Sequence, residues 1–188
     1  MTEAEWQACE EPVQMLRTLG PDASERKLRL LAVACVRRVF VGAPSPGGDA
    51  VKELVEGGEA YADDGVDLRK LNELREQLQA RLVGQSATSW SIVSAAIDLS
   101  TADLNFQLAA RAARQCTITA GYLSGARSQL KAAASAAANV EAGHQARLIR
   151  EVFGNPFRPI SFLPEWRTDA AMLLARGMYE SRDFSAMP

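Results

Sequence analysis

Apolar residues recur along most of this chain at three- and four-residue intervals, the spacing that places them on one side of an α-helix. Leu68, Leu71, Leu74 and Leu78 repeat in this way among polar neighbours, and Val51, Leu54 and Val55 do so before them. The run LRLLAVACVRRVFV, Leu28 to Val41, is apolar around much more than one stripe, which predicts a central, largely buried helix. Trp90, Val93 and Ile97 begin another helix, and from Ala102 to Phe153 nearly every residue is a helix former, with alanine dominating from Ala132 to Ala146. No alternating strand pattern of any length occurs, and no Asn-Gly or Asp-Gly turn sits between β-branched runs. The expected class is all-α, a bundle of about seven or eight helices with a long alanine-rich helical hairpin.

Breakers and caps divide the pattern. Thr2 and Glu5 fit a capping box for a short first helix that presents Trp6. Pro12 suits the first turn of a second helix that Gly20 and Pro21 close, and Ser24 can cap the third. Residues 1–41 form the N-terminal helices, 42–48 (GAPSPGG) a flexible linker, and 49–83 a polar helical hairpin broken at Asp63, Asp64 and Gly65. After a loop from Gly84 to Ser89, residues 86–153 carry the alanine-rich helices, and 154–188 an irregular aromatic and proline segment before a final helix capped by Thr168. All of 1–188 reads as a single helical domain.

The sharpest stop is LIREVFGNPFRP, Leu148 to Pro159, where Gly154 can take the left-handed conformation and Pro156 and Pro159 lack the N–H to continue a helix. Gly121 and Gly125 either break the long stretch into two antiparallel helices or admit another backbone. The break is favoured, because one helix of about 50 residues would run about 75 Å. Alanine faces bury little area each and let helices approach closely, so the larger anchors are expected to be Trp90, Phe106, Leu108, Tyr122, Leu123 and Leu148. The alanine tract is also a candidate partner-facing surface.

Composition narrows the function classes. With 188 residues, 47% hydrophobic and 23% charged, the chain has ample core for a folded domain, and its net charge of −2 gives no global pull towards nucleic acid or anionic membranes. Three widely separated cysteines suggest neither a disulfide framework nor a CxxC clamp and fit a reducing cytoplasm. Glu3 and Glu5 argue against a signal peptide, and the apolar run Leu30 to Val36 is too short to span a bilayer.

Catalytic signatures are weak. Glu141 and His144 make an ExxH pair, half of a di-metal bundle motif, but the chain has one histidine where such a site needs two. SxxK spacing occurs twice, at Ser24 to Lys27 and Ser128 to Lys131, without the partner motifs that would give it meaning. GYLSG, Gly121 to Gly125, is not GxSxG and follows no strand. Phosphate-cradling loops are absent. No catalytic residue, metal site or cofactor is expected.

Two clusters remain. Arg26, Lys27, Arg29, Arg37 and Arg38 lie at the two ends of the third helix, and the eleven-residue separations of Arg26 from Arg37 and Lys27 from Arg38 return each pair to one side. They could grip phosphates or an acidic partner; the competing expectation is internal pairing with acids such as Glu53, Glu56, Glu73 and Glu76. Phe153, Phe157, Phe162 and Trp166 either pin the irregular segment to the bundle or line an aromatic peptide groove.

Taken together, MTEAEWQAC at Met1, SERKLRLLAVACVRR at Ser24, EAYADDG at Glu59, the alanine-rich helix, IREVFGNPFRPI at Ile149 and MYESRDF at Met178 resemble a family of small helical proteins abundant in planctomycete bacteria such as the Gemmata group. FGNPFRP, Phe153 to Pro159, followed by Trp166 and Tyr179, is the most specific piece. The middle departs from the family pattern, with TSWSIVSAAIDLSTADLNFQLAARAARQ in place of alanine, tryptophan and arginine repeats, and members carry a further cysteine-containing helical tail beyond the position of Pro188. The resemblance implies a helical domain and carries over no catalytic residue. The expected function is a non-enzymatic module with a protein partner or a homo-oligomeric state. Nucleic-acid association through the basic cluster is the alternative, and no membrane partner is expected.

Overall fold

A computed structural model describes residues 1–40, 48–63, 65–81, 90–128, 131–159, 163–181 and 183. Among these the chain is all-helical, with nine α-helices and no strand. They are α1 Glu3–Ala8, α2 Pro12–Leu19, α3 Glu25–Phe40, α4 Gly48–Ala62, α5 Leu68–Arg81, α6 Trp90–Leu99, α7 Phe106–Ser128, α8 Lys131–Phe153 and α9 Asp169–Ser181. The expected linker lies outside the described residues except for Gly48, which opens α4, and so does the loop from Gly84 to Ser89. Where the sequence suggested one domain, the chain divides into two compact units, Met1–Phe157 and Arg158–Pro188, with the boundary inside the proline-rich stop.

Local chemistry sets the helix ends. The Thr2 hydroxyl accepts from the Glu5 N–H while the Glu5 carboxylate accepts from the Thr2 N–H, completing the capping box. Pro12 opens α2, and Gly20 and Gly154 end α2 and α8 with φ of 72° each, a conformation that costs glycine little. Ser24 accepts from the Lys27 N–H at 3.5 Å, and Thr168 accepts from the Ala171 N–H at 3.2 Å.

The core of the first unit forms around α3 and α7. α3 packs on α4, α6, α7 and α8, and α7 packs on α2, α3, α6 and α8. As its all-round apolar pattern predicts, α3 buries Leu28, Leu31, Ala32, Val33, Cys35, Val36 and Val39. α4 lies against α5 on one side and against α3 and α6 on the other. Two consecutive glycines make this possible. A Cβ on Gly57 would stand 2.5 Å from Leu74 of α5, and one on Gly58 would stand 2.5 Å from Leu99 of α6.

Several anchors differ from those the sequence suggests. Trp6 is fully buried rather than presented, because Arg150 of α8 donates to the carbonyl oxygens of Trp6 (3.2 Å) and Cys9 (2.8 Å) and holds α1 down. Tyr122 is 58% exposed, while Phe106, Leu108, Leu123 and Leu148 pack only partly against the core. The side chain of Trp90 lies outside the described residues. The large fully buried residues instead include Trp6, Met15, Leu16, Leu31, Leu54 and Leu71.

The glycine question in the alanine-rich stretch also resolves. α7 runs unbroken through Gly121 and Gly125, and α8 starts at Lys131, so the two helices separate later than the glycines. Gly121 serves close approach, since a Cβ there would meet the Ala134 carbonyl oxygen at 3.0 Å and the Ala138 methyl at 3.5 Å. Gly121→Val should therefore destabilise the fold by about 1–3 kcal/mol through overpacking, despite valine's better helix propensity. Chemical denaturation reads the change, and an unchanged or raised midpoint would mean that α7 and α8 are not held this close.

In the second unit a 3₁₀ turn, Pro164–Trp166, precedes α9. No residue of α9 is buried, and Met172, Leu173 and Leu174 are 58%, 70% and 57% exposed.

Candidate functional site

The five cations singled out on α3 are mostly engaged within the chain. Arg29 is 1% exposed and therefore not a surface ligand. Its guanidinium donates to the carbonyl oxygens of Leu99, Thr101 (2.9 Å) and Ala102 (3.1 Å) and to the Glu25 carboxylate (2.6 Å). The Tyr61 ring lies 4.7 Å from its central carbon. These carbonyls belong to the end of α6 and the turn beyond it, so Arg29 caps a helix that follows it by about 70 residues in sequence.

Arg26 does the same for α4, donating to the Ala62 carbonyl oxygen at 3.0 Å and pairing with Asp63. Arg37 pairs with Glu59, and Arg38 reaches the buried carboxylate of Glu141 at 3.4 Å. Lys27 stands 5.7 Å from the centre of the Phe153 ring. Internal pairing thus holds for the four arginines, with Glu25, Glu59, Asp63 and Glu141 as partners in place of the acids suggested by sequence.

Glu141 sits in a polar seam between α3, α7 and α8. It accepts from the Gln145 amide at 3.2 Å, and Gln145 also donates to the Ala113 carbonyl oxygen at 3.1 Å. Its carboxylate is thus committed to Arg38 and Gln145. Among the described residues no three His, Cys, Asp or Glu are placed to hold a metal ion. The Cys35 thiol in this region is pushed up to about 12 by burial and by the Glu141 charge, against a partial offset from Arg38. Burial, then Cys35 and Glu141, hold the Cys116 thiol well above its ordinary range as well.

The other sequence motifs separate. The Ser24 hydroxyl is a helix cap, and the side chain of Ser128 lies outside the described residues. GYLSG lies within α7 and not at a strand-to-helix turn. Phe153 packs against the core, Phe157 is 40% exposed, and Phe162 lies outside the described residues. Trp166, half exposed, belongs to the second unit. Pinning within the first unit comes from Asn155, which donates to Glu3 at 2.7 Å and accepts from the Phe157 N–H at 3.0 Å.

A cationic groove that the sequence reading missed lies between α2 and α7. It has a volume of about 540 Å³ and is lined by Val13, Arg17, Phe106, Ala110, Arg111 and Arg114, with Gln107 beside them. Arg111 is anchored: it donates from Nε to Oδ2 of the buried Asp98 at 2.7 Å and from Nη2 to Oδ1. These hydrogen bonds raise Arg111 above its already high ordinary value. Arg17 and Arg114 are exposed and pair with no acid among the described residues. A signal for this groove was available, because α2 and α7 contain Arg17, Arg111, Arg114 and Arg127 and not one Asp or Glu. What sequence alone does not give is that the two helices lie side by side.

In comparisons with known protein families, curated proteins and solved structures, nothing matches this chain.

Arg29→Met, which removes the α6 cap and leaves its carbonyls buried, should cost about 2–4 kcal/mol of stability, against less than about 1 kcal/mol for Arg37→Met at a half-exposed pair. Equal costs in denaturation would contradict the assignment of Arg29 as a cap. The thiols give a pH test. Cys35 and Cys116 stay protonated in the fold while the unfolded chain ionises from its ordinary value of 9.0 upward. Their contribution is therefore intact below pH 9 and lost as the pH climbs towards 12. At neutral pH a thiol reagent should label the half-buried Cys9 and reach the other two only on unfolding; rapid native labelling of all three would overturn this.

Proposed function

We propose that this chain is a non-enzymatic helical module that works by protein–protein contact in a reducing cytoplasm. The observation that carries the reading is the far end of the α7–α8 hairpin. There the two helices meet through Gly121, Ala134 and Ala138, while Ala132 and Ala136 are exposed together with Tyr122 and Val140, the last at 62%. Small faces of this kind accept another helix at the short end of the usual 8–10 Å separation. An apolar side chain such as Val140 or Tyr122 gives such a contact its buried area.

The engagement of the buried polar groups supports the non-enzymatic part of the reading. Arg29, Asp98, Glu141 and Gln145 each hold a structural partner. Three free cysteines, two of them buried, favour the reducing compartment. Nucleic-acid association through Arg26, Lys27, Arg29, Arg37 and Arg38 has less support, since four of those five already bind acids or carbonyl oxygens of the same chain.

Affinity capture of tagged chain from its native extract, with nuclease present, tests the proposal. Val140→Glu should abolish recovery of the bound protein while changing stability by no more than about 0.5 kcal/mol, as expected at an exposed site. Unchanged recovery would remove the hairpin from the interface. Recovery of nucleic acid alone, lost on nuclease treatment, would contradict the reading.

A further inference from the structure

Opposite charges stand at the two ends of α2, acids just before its first turn and an arginine in its last, and neither end meets its counter-charge among the described residues. Glu10 and Glu11 stand exposed where the helix begins, beside a shallow groove that includes Gln14. Arg17 stands exposed near the other end, where the cationic groove joins it to Arg114 and the anchored Arg111. Glu11 and Arg17 are separated by about 9 Å along the helix axis. The dipole of α2 favours each sign where it stands but supplies no hydrogen-bond partner to either.

From this geometry we infer that α2 is a two-fold contact surface for a second copy of the same chain. Set antiparallel across an axis near Gln14, two α2 helices bring Glu10 and Glu11 of each copy onto Arg17 and Arg114 of the other. One self-complementary patch thus satisfies both ends at once, as a closed two-fold dimer requires. Gln14 meets its own equivalent at the axis, and its amide can donate and accept in the same contact. Val13 and Phe106, both half-buried, supply apolar area beside the charges. A polyanion such as nucleic acid fits this face poorly, because a strand crossing the arginines meets Glu10 and Glu11, whereas a second copy is bipolar in the matching sense. The patch is small and polar, so the dimer is weak, in fast exchange and sensitive to salt.

The inference rests on the reading of the chain as a contact module and names one of its surfaces and its partner. Analytical ultracentrifugation of the full chain tests it. The mass should rise from one chain towards two with concentration at about 50 mM salt, and raising salt to about 500 mM should weaken the association at least tenfold. Glu10→Arg with Glu11→Arg, and separately Arg17→Glu with Arg114→Glu, should each give monomer, with circular dichroism confirming that both variants are folded. Mixed in equal amounts the two variants should associate, since each reversed end then meets its opposite. A monomeric wild type at the highest concentration, or variants that dimerise as well as the wild type, overturns the inference. If dimerisation survives the charge reversals but is lost in Val140→Glu, the contact-module reading stands and the α2 surface falls. If the chain is monomeric and captures no protein, both fall.

Discussion

The arrangement of the first unit depends on the buried guanidinium of Arg29. A charge 1% exposed is costly to place away from water unless its hydrogen bonds are met. The end of a helix has the complementary problem, because its last carbonyl oxygens have no partner within the helix and carry the negative end of the dipole. Inserting Arg29 among the carbonyls of Leu99, Thr101 and Ala102 resolves both and fixes how α3 crosses the end of α6. Gly58 then lets α4 lie against both. Arg26 at the end of α4 and Arg150 at the end of α1 repeat the device, so three arginines tie together helices far apart in sequence.

Much of the fold was legible because it is governed by near neighbours. The capping box at Thr2, Pro12 at the start of α2, the left-handed Gly20 and Gly154, and the all-round apolar pattern of α3 each act within a turn or two. Burial was less legible, since it depends on what packs from elsewhere. Tyr122 reads as an anchor and is 58% exposed, while its neighbour Gly121 is the residue that meets α8, at Ala134 and Ala138. Trp6 reads as presented and is buried because Arg150, 144 residues away, draws α1 onto α8. Gly121 could break a helix or admit a neighbour, and only the proximity of Ala134 decides between the two.

The same limit governs the candidate sites. An arginine cluster looks alike in sequence whether its partner is a phosphate or a helix end, and the carbonyl partners of Arg26 and Arg29 lie 36 to 73 residues downstream. Four of the five cations on α3 are engaged by the fold, while between α2 and α7 only Arg111 is held, by Asp98 of α6, and Arg17 and Arg114 meet no acid among the described residues because neither wall contains one. The surfaces proposed above for contact, the small-residue end of the hairpin and the charged ends of α2, are accordingly what packing leaves over.

The most direct test of Arg29 as the organising contact is hydrogen exchange on Arg29→Lys, which keeps the charge and removes the planar fork that reaches three carbonyl oxygens. The account predicts faster exchange in α6, with α3 and α4 losing protection alongside it, while α1 and α2, held through Arg150, change little. Protection in α6 equal to that of the unaltered chain would show that the charge alone suffices and would contradict the central role given to this cap.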